Sequence, residues 1–271
     1  MRLNRLLILR AVAFASFLSS GAGQWLSYPT PGIPRTPDGK PNLSAPAPRT
    51  ADGTPDLSGL WEMLRNRPCA PEGCADQQPS QEFINIGWSL KEGLPYQPWS
   101  AELVKARTPE RRVTDPLSHC LPIGIVRLHT FVGFKKIIQT PLLLAIVYEY
   151  NGSYRQIMTD GRPLPVDPNP SWNGYSTGKW DGDTLVVQTA GFRDDQWLDI
   201  SGTPVSDAAR ITERFRRVNY GNLEIELTVD DPKTYTKPWT VKLNQTLKLD
   251  TDLLDYICIE NEKDLKHLVT K

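Results

Sequence analysis

The chain has 271 residues, with 31 basic and 31 acidic side chains, 24 prolines, four cysteines and eight tryptophans. A formal charge of zero without a basic stripe excludes the electrostatic footprint of a nucleic-acid-binding protein. The length allows one large all-β domain or two small ones. No segment after the N-terminus offers the roughly 20 uninterrupted apolar residues of a membrane-spanning helix.

Arg2, Arg5 and Arg10 surround Leu6–Leu9, Ala11–Phe17 follow, and the small residues Ser19–Gly23 close the segment. Residues 1–24 therefore read as a secretory signal, which predicts a periplasmic or extracellular protein with no transmembrane segment once the signal is removed. That removal takes three arginines and no acid, so the remaining chain is net acidic by three charges. Residues 25–57 are proline-rich and hold a near-repeat, Arg35-Thr-Pro-Asp-Gly-Lys-Pro-Asn-Leu-Ser44 and Arg49-Thr-Ala-Asp-Gly-Thr-Pro-Asp-Leu-Ser58, with a period of 14. Prolines at this density block helix and central strand, so an extended arm is expected, either wrapped on a domain or serving as a spacer.

The folded domain is expected to span 58–271, beginning with the strand Gly59–Met63. Between it and Pro116 the pattern is irregular. Only Ser100–Arg107 reads as a helix, with Ser100 as N-cap. The basic residues Lys105, Arg107, Arg111 and Arg112 lie among Glu102, Glu110 and Asp115, as on a solvated helix surface. A proline-bounded loop, Asp115–His129, follows. Strands are then predicted at Phe134–Thr140, Leu142–Asn151, Ser153–Asp160, Gly174–Lys179, Thr184–Thr189, Arg210–Val218, Leu223–Val229, Trp239–Leu249 and Leu253–Ile259. Asn151-Gly152 and Asp181-Gly182 are tight-turn signals, and Leu223–Val229 alternates apolar with polar residues. The reading is all-β: an antiparallel meander closing into a barrel, with a two-layer sandwich as the alternative.

Cys69 and Cys74 enclose a turn sequence and are expected to form a small-loop disulfide, and Cys120–Cys258 is the second expected bridge. Their spacing lacks the repeated short intervals of a zinc site, so neither metal nor cofactor is expected. His119 and His129 are candidate acid–base residues. Glu213 shares an inward-facing phase with Ile211, Phe215 and Arg217; such a carboxylate has a raised pKa unless a buried Arg keeps it ionised. Asp160 and Arg162 could present a carboxylate and a guanidinium to a polar ligand, or pair with each other. Trp172, Trp180 and Trp197 flank the loops that carry Asp183 and other acids, a combination that suits a sugar ring or a phenol and equally suits ordinary barrel-end packing.

Gly59-Leu60-Trp61 resembles the Gly-x-Trp signature of calycins, the lipocalin-like barrels, although residues 64–130 depart from a compact lipocalin. A second resemblance covers most of 49–271. Arg49–Trp61, Cys120-Leu-Pro122, Thr159–Pro163, Gly178–Val187, Glu213–Arg217, Asp230–Trp239 and Glu260-Asn261 are similar to an uncharacterised family of exported bacterial proteins. That resemblance implies export and no particular activity. Similar proteins often carry two histidines where this chain has Thr203 and Val205, so a role for such a pair does not transfer.

Three functions are compatible with these residues. The first is binding of a small, moderately polar molecule in a barrel pocket, as a monomer or weak oligomer. The second is acid–base hydrolase, lyase or isomerase chemistry on the same barrel. The third is an interaction module that uses the proline-rich arm.

Overall fold

The structure is a computed structural model that describes residues 29–64 and 80–260. The described residues divide into two compact units, 29–32 with 249–252, and 33–64 and 80–248 with 253–260. In the first, the Thr30 amide donates to Asp250 Oδ1 and the Asp250 amide donates to Thr30 Oγ1, each at 2.8 Å. The second holds the barrel.

Nine strands form a closed barrel in chain order: β1 (Gly59–Met63), β2 (Lys135–Gln139), β3 (Leu143–Tyr148), β4 (Tyr154–Met158), β5 (Tyr175–Asp181), β6 (Thr184–Ala190), β7 (Arg210–Asn219), β8 (Asn222–Asp230) and β9 (Trp239–Leu247). The expected barrel is present and the sandwich is not. A closed ring of nine strands cannot be antiparallel throughout, because strand direction must reverse an even number of times around one circuit. The odd junction is β4–β5, which is parallel and pairs Ile157 with Ser176 and Met158 with Thr177. A pure antiparallel meander is therefore corrected at this point. The 159–174 crossover that makes the junction possible carries Pro163, Pro165, Pro168 and Pro170. It ends at Gly174, whose φ of +61° and whose missing Cβ, which would sit 2.8 Å from the Ala190 carbonyl, require glycine.

The tight turns fall where the sequence places them. Asn151 and Gly152 take positive φ between β3 and β4, as a type I′ turn demands, and Gly182 alone does so between β5 and β6, as in a type II′ turn. The strand expected at Leu253–Ile259 is absent: this segment makes one isolated parallel bridge, Tyr150 with Tyr256, because the barrel already closes through β1 and β9. Four short α-helices are described instead of one: α1 (Gln81–Ile84), α2 (Pro98–Arg107), α3 (Arg111–Thr114) and α4 (Gly124–Thr130). Helix α2 begins at Pro98 with Gln97 as its N-cap, since proline at the first helical position gives up no needed N–H. Ser100 is instead buried, its hydroxyl donating to the Gln97 and Thr234 carbonyls.

Alternate residues of the strands fill the barrel: Trp61, Ile137, Ile146, Ile157, Val187, Phe215, Ile225 and Leu243 are all essentially inaccessible. Each such side chain contributes roughly 1.5–3 kcal/mol by leaving water. One end of the barrel is closed by the arm. The Tyr220 and Gly221 amides donate to the Ala45 and Leu43 carbonyls. Arg217 crosses the Trp61 ring at 5.0 Å and donates to the Asp56, Ser58 and Tyr220 carbonyls. The other end is closed by α4, all seven residues of which are buried.

Candidate functional site

Helix α4 lies within the segment expected to be a loop. It has no polar face because it sits in the barrel mouth, so no amphipathic stripe marks it in the sequence. Arg127, wholly buried, anchors it through paired bonds to Asp115 at 2.7 and 2.9 Å and lies 5.3 Å from the Phe83 ring. Its first residue, Gly124, has φ +72°, and a Cβ there would come within 2.0 Å of Gln196 Oε1 and 3.1 Å of the Trp172 carbonyl. Ahead of it, Cys120 is joined to Cys258. Cys69 and Cys74 lie outside the described residues, as does the expected signal segment.

Under α4 the barrel interior is polar. His129 Nε2 lies 2.7 Å from Glu213 Oε1 on β7, and both side chains are fully buried. Arg155 on β4 forms a fork to both oxygens of Glu213, through Nη1 at 3.0 Å and through Nη2. The same guanidinium donates to Ser176 on β5 at 3.1 Å and to Thr189 on β6 at 2.9 Å. On the other side, Lys135 Nζ donates to the His129 carbonyl at 3.0 Å and to Gln245 Oε1. Gln245 Nε2 reaches the same carbonyl at 3.3 Å. The rings of Tyr148 and Phe215 stand edge-on to the imidazole, with centroids 6.4 and 5.8 Å away.

The charge states follow from these neighbours. Burial pushes Glu213 up, but the Arg155 charge and the bonds from His129 and Arg155 overcome it and hold the carboxyl down at about 2. Burial lowers His129 more than Glu213 can raise it, so the imidazole is neutral near pH 7. An ionised Glu213 can only accept, so the His129 proton resides on Nε2 and Nδ1 is a bare acceptor. Burial also drops the Lys135 ammonium to about 7, with Glu62 opposing. One atom of the cluster, His129 Nδ1, finds no partner within the protein, and the buried Tyr148 hydroxyl has only the Arg155 guanidinium beside it.

The remaining sequence candidates lie apart. His119 is exposed, and its Nε2 donates to the Val113 carbonyl at 2.6 Å. Asp160 and Arg162 pair with each other at 2.6 Å on the surface just beyond the end of β4, away from α4. Asp183, in the β5–β6 hairpin, pairs with Arg49 at 2.6 Å. Trp180, on β5, packs against the core. Trp172 and Trp197 are at the α4 end, under Arg193 at 4.9 Å and Arg107 at 4.8 Å. The candidates therefore divide between opposite ends of the barrel, and only His129 and Glu213 meet.

Thr203 and Val205 are buried. The Thr203 amide and hydroxyl both donate to Asp199. Burial raises that carboxyl to about 6 against these bonds. Outside the rim, a cleft of about 220 Å³ lies between the crossover and the start of β7, lined by Asp167, Pro168, Phe192, Asp207 and Arg210 among others. Among the described residues no group of three or more His, Cys, Asp or Glu could hold a metal, and no helix is long and apolar enough to cross a membrane.

Sequence reasoning missed Arg155, Lys135, Tyr148 and Gln245. The signal for Arg155 was present: in Tyr154–Met158 it shares a two-residue phase with Ile157, which places a guanidinium on the apolar face.

Fold and site together define a closed nine-stranded β-barrel with a helix-sealed mouth over a buried His–Glu–Arg cluster. No protein-family model matches the chain, and no curated protein matches it.

Proposed function

We propose that this is an exported binding protein of lipocalin-like architecture that holds a small, hydroxyl-bearing organic molecule, sugar-like or phenolic, in the α4 end of the barrel. The observation that carries this reading is the unpartnered buried His129 Nδ1, with the Tyr148 hydroxyl nearby, whose oxygen is engaged only by Arg155. A buried polar atom without a partner costs about 1–3 kcal/mol, and such an exception calls for an explanation. A ligand hydroxyl that donates to Nδ1 relieves that cost and gives the Tyr148 O–H an acceptor, with the Phe215 ring supplying an apolar wall. The resemblance to exported bacterial proteins and the Cys120–Cys258 disulfide support an oxidising compartment.

Native mass spectrometry against a panel of monosaccharides and simple phenols tests this. A bound adduct that is lost in both His129→Phe and Tyr148→Phe supports it. No adduct with any member, or an adduct indifferent to both substitutions, refutes it.

The fixed tautomer favours a second reading. Glu213 orients His129 so that Nδ1 is a base, the arrangement by which a carboxylate positions a general-base imidazole. Turnover of a bound compound that rises with pH through the lowered His129 pKa, and disappears in His129→Gln, would select this reading over simple binding.

A further inference from the structure

The 14-residue sequence repeat in the arm is also a structural repeat. In the first copy the Thr36 amide donates to the Lys40 carbonyl, Gly39 to Thr36, and Asn42 to Pro34. In the second, Thr50 donates to Thr54, Gly53 to Thr50, and Asp56 to Pro48. Both glycines take left-handed φ, +81° at Gly39 and +86° at Gly53. The threonine hydroxyl of each copy bonds the aspartate two residues on. In each, the leading arginine turns back so that Nη1 donates to the glycine carbonyl at 2.7 Å. The guanidinium is thereby oriented before it meets anything else.

What the second copy does with that guanidinium is visible. Arg49 offers its outer edge to Asp183, the last residue of the Trp180-Asp181-Gly182-Asp183 turn, with bonds of 3.0 and 2.6 Å. This is fork-to-carboxylate recognition, which fixes direction as well as charge. The first copy has the same backbone, the same Arg–Gly bond and an exposed arginine, yet among the described residues Arg35 has no carboxylate partner.

We propose that the first copy is a docking site, centred on Arg35, for an aspartate carried on a tight β-turn of another protein. The chemistry of the occupant is set by the twin: an Asp at the end of an Asp-Gly-type hairpin, presented with both oxygens to the guanidinium edge. The same hairpin of a second copy is the poorer occupant, because its Asp183 would first have to leave its own Arg49. One exposed ion pair contributes only about 0.2–1 kcal/mol, so the site acts as one directional contact within a larger or multivalent assembly.

The test uses the full chain, labelled with ¹⁵N and titrated with a cyclised peptide of residues 178–187, Gly-Lys-Trp-Asp-Gly-Asp-Thr-Leu-Val-Val, as the aspartate-turn probe. Saturable shifts at the Arg35 side-chain Nε–H and the Gly39 amide, in the millimolar range, are expected. Arg35→Ala should abolish them. Arg35→Lys keeps the charge without the fork, and weakens binding by less than about fivefold, the upper worth of one exposed pair. A peptide with Asn in place of Asp183 should not bind. Four results overturn the proposal: no shift at Arg35, shifts that survive Arg35→Ala, shifts confined to Arg49, or equal shifts from sodium acetate at the same concentration.

Discussion

Replacing Glu213 with Gln tests whether the cluster under α4 is a dry ionic network. Glu213 and Arg155 are both fully buried, and Arg155 donates to both carboxylate oxygens. Glutamine keeps the size and one acceptor oxygen but removes the charge, and it turns an NH₂ group toward either His129 or Arg155, both of which are donors. Ser176 and Thr189 still accept from Arg155, but two neutral hydroxyls do not offset a guanidinium charge out of water. Breaking a buried pair by removing one partner costs about 3–5 kcal/mol. For a domain of this size that is a fall in Tm of roughly 6–20 °C. Urea denaturation of wild type, Glu213→Gln and the double variant Arg155→Met/Glu213→Leu measures it. The double variant should recover at least half of the loss, because no uncompensated charge is left. A loss below about 1 kcal/mol in the single variant, the range of exposed pairs, would refute the reasoning, because it would mean that water reaches the pair.

Removing the disulfide by Cys120→Ser with Cys258→Ser opens a link with a sequence separation of 138; a loss of about 2–5 kcal/mol is expected, read by denaturation in parallel with wild type. Lys135 provides a pH signature: its folded pKa is about 7 against 10.5. Between those values the unfolded chain binds more protons, so stability should climb with pH across that window, and Lys135→Met should flatten the climb. In acid the order is set by His129 and Glu213, both lowered: stability should fall as pH drops below about 6.5, and further as Glu213 is protonated toward about 2, measured by thermal melts across pH. Gly174→Ala should destabilise by more than about 1 kcal/mol, because the added Cβ meets the Ala190 carbonyl at 2.8 Å in a left-handed backbone; a neutral melt would contradict that.

Most of the barrel was legible because its strands carry local information. Leu223–Val229 alternates strictly, and Asn151-Gly152 and Asp181-Gly182 are turns that only a few residue types accept. Helix α4 was not legible, because a helix buried on every side shows no polar stripe to set its phase. Half of the site could be seen: the inward phase of Glu213 is a two-residue pattern, and His129 is one of three histidines. Their meeting could not, since it joins residues 84 apart in sequence. The parallel β4–β5 junction was also hidden: single-strand patterns carry no sign of direction, and only closure of the ring reveals that one pair must be parallel.

That junction gives the barrel a seam. Only Ile157 with Ser176 and Met158 with Thr177 are in register there, whereas β7 and β8 run together from Arg210 with Asp230 to Asn219 with Asn222. Backbone contributes least where β4 meets β5, and at that place Arg155 reaches from β4 to β5, β6 and β7 at once. The guanidinium is a rivet through the inside of the wall. Charge neutralisation in the cluster and the bracing of the barrel's shortest strand pairing thus rest on the same side chain, so any event that draws Glu213 away from Arg155 also removes the β4–β7 brace beside that junction.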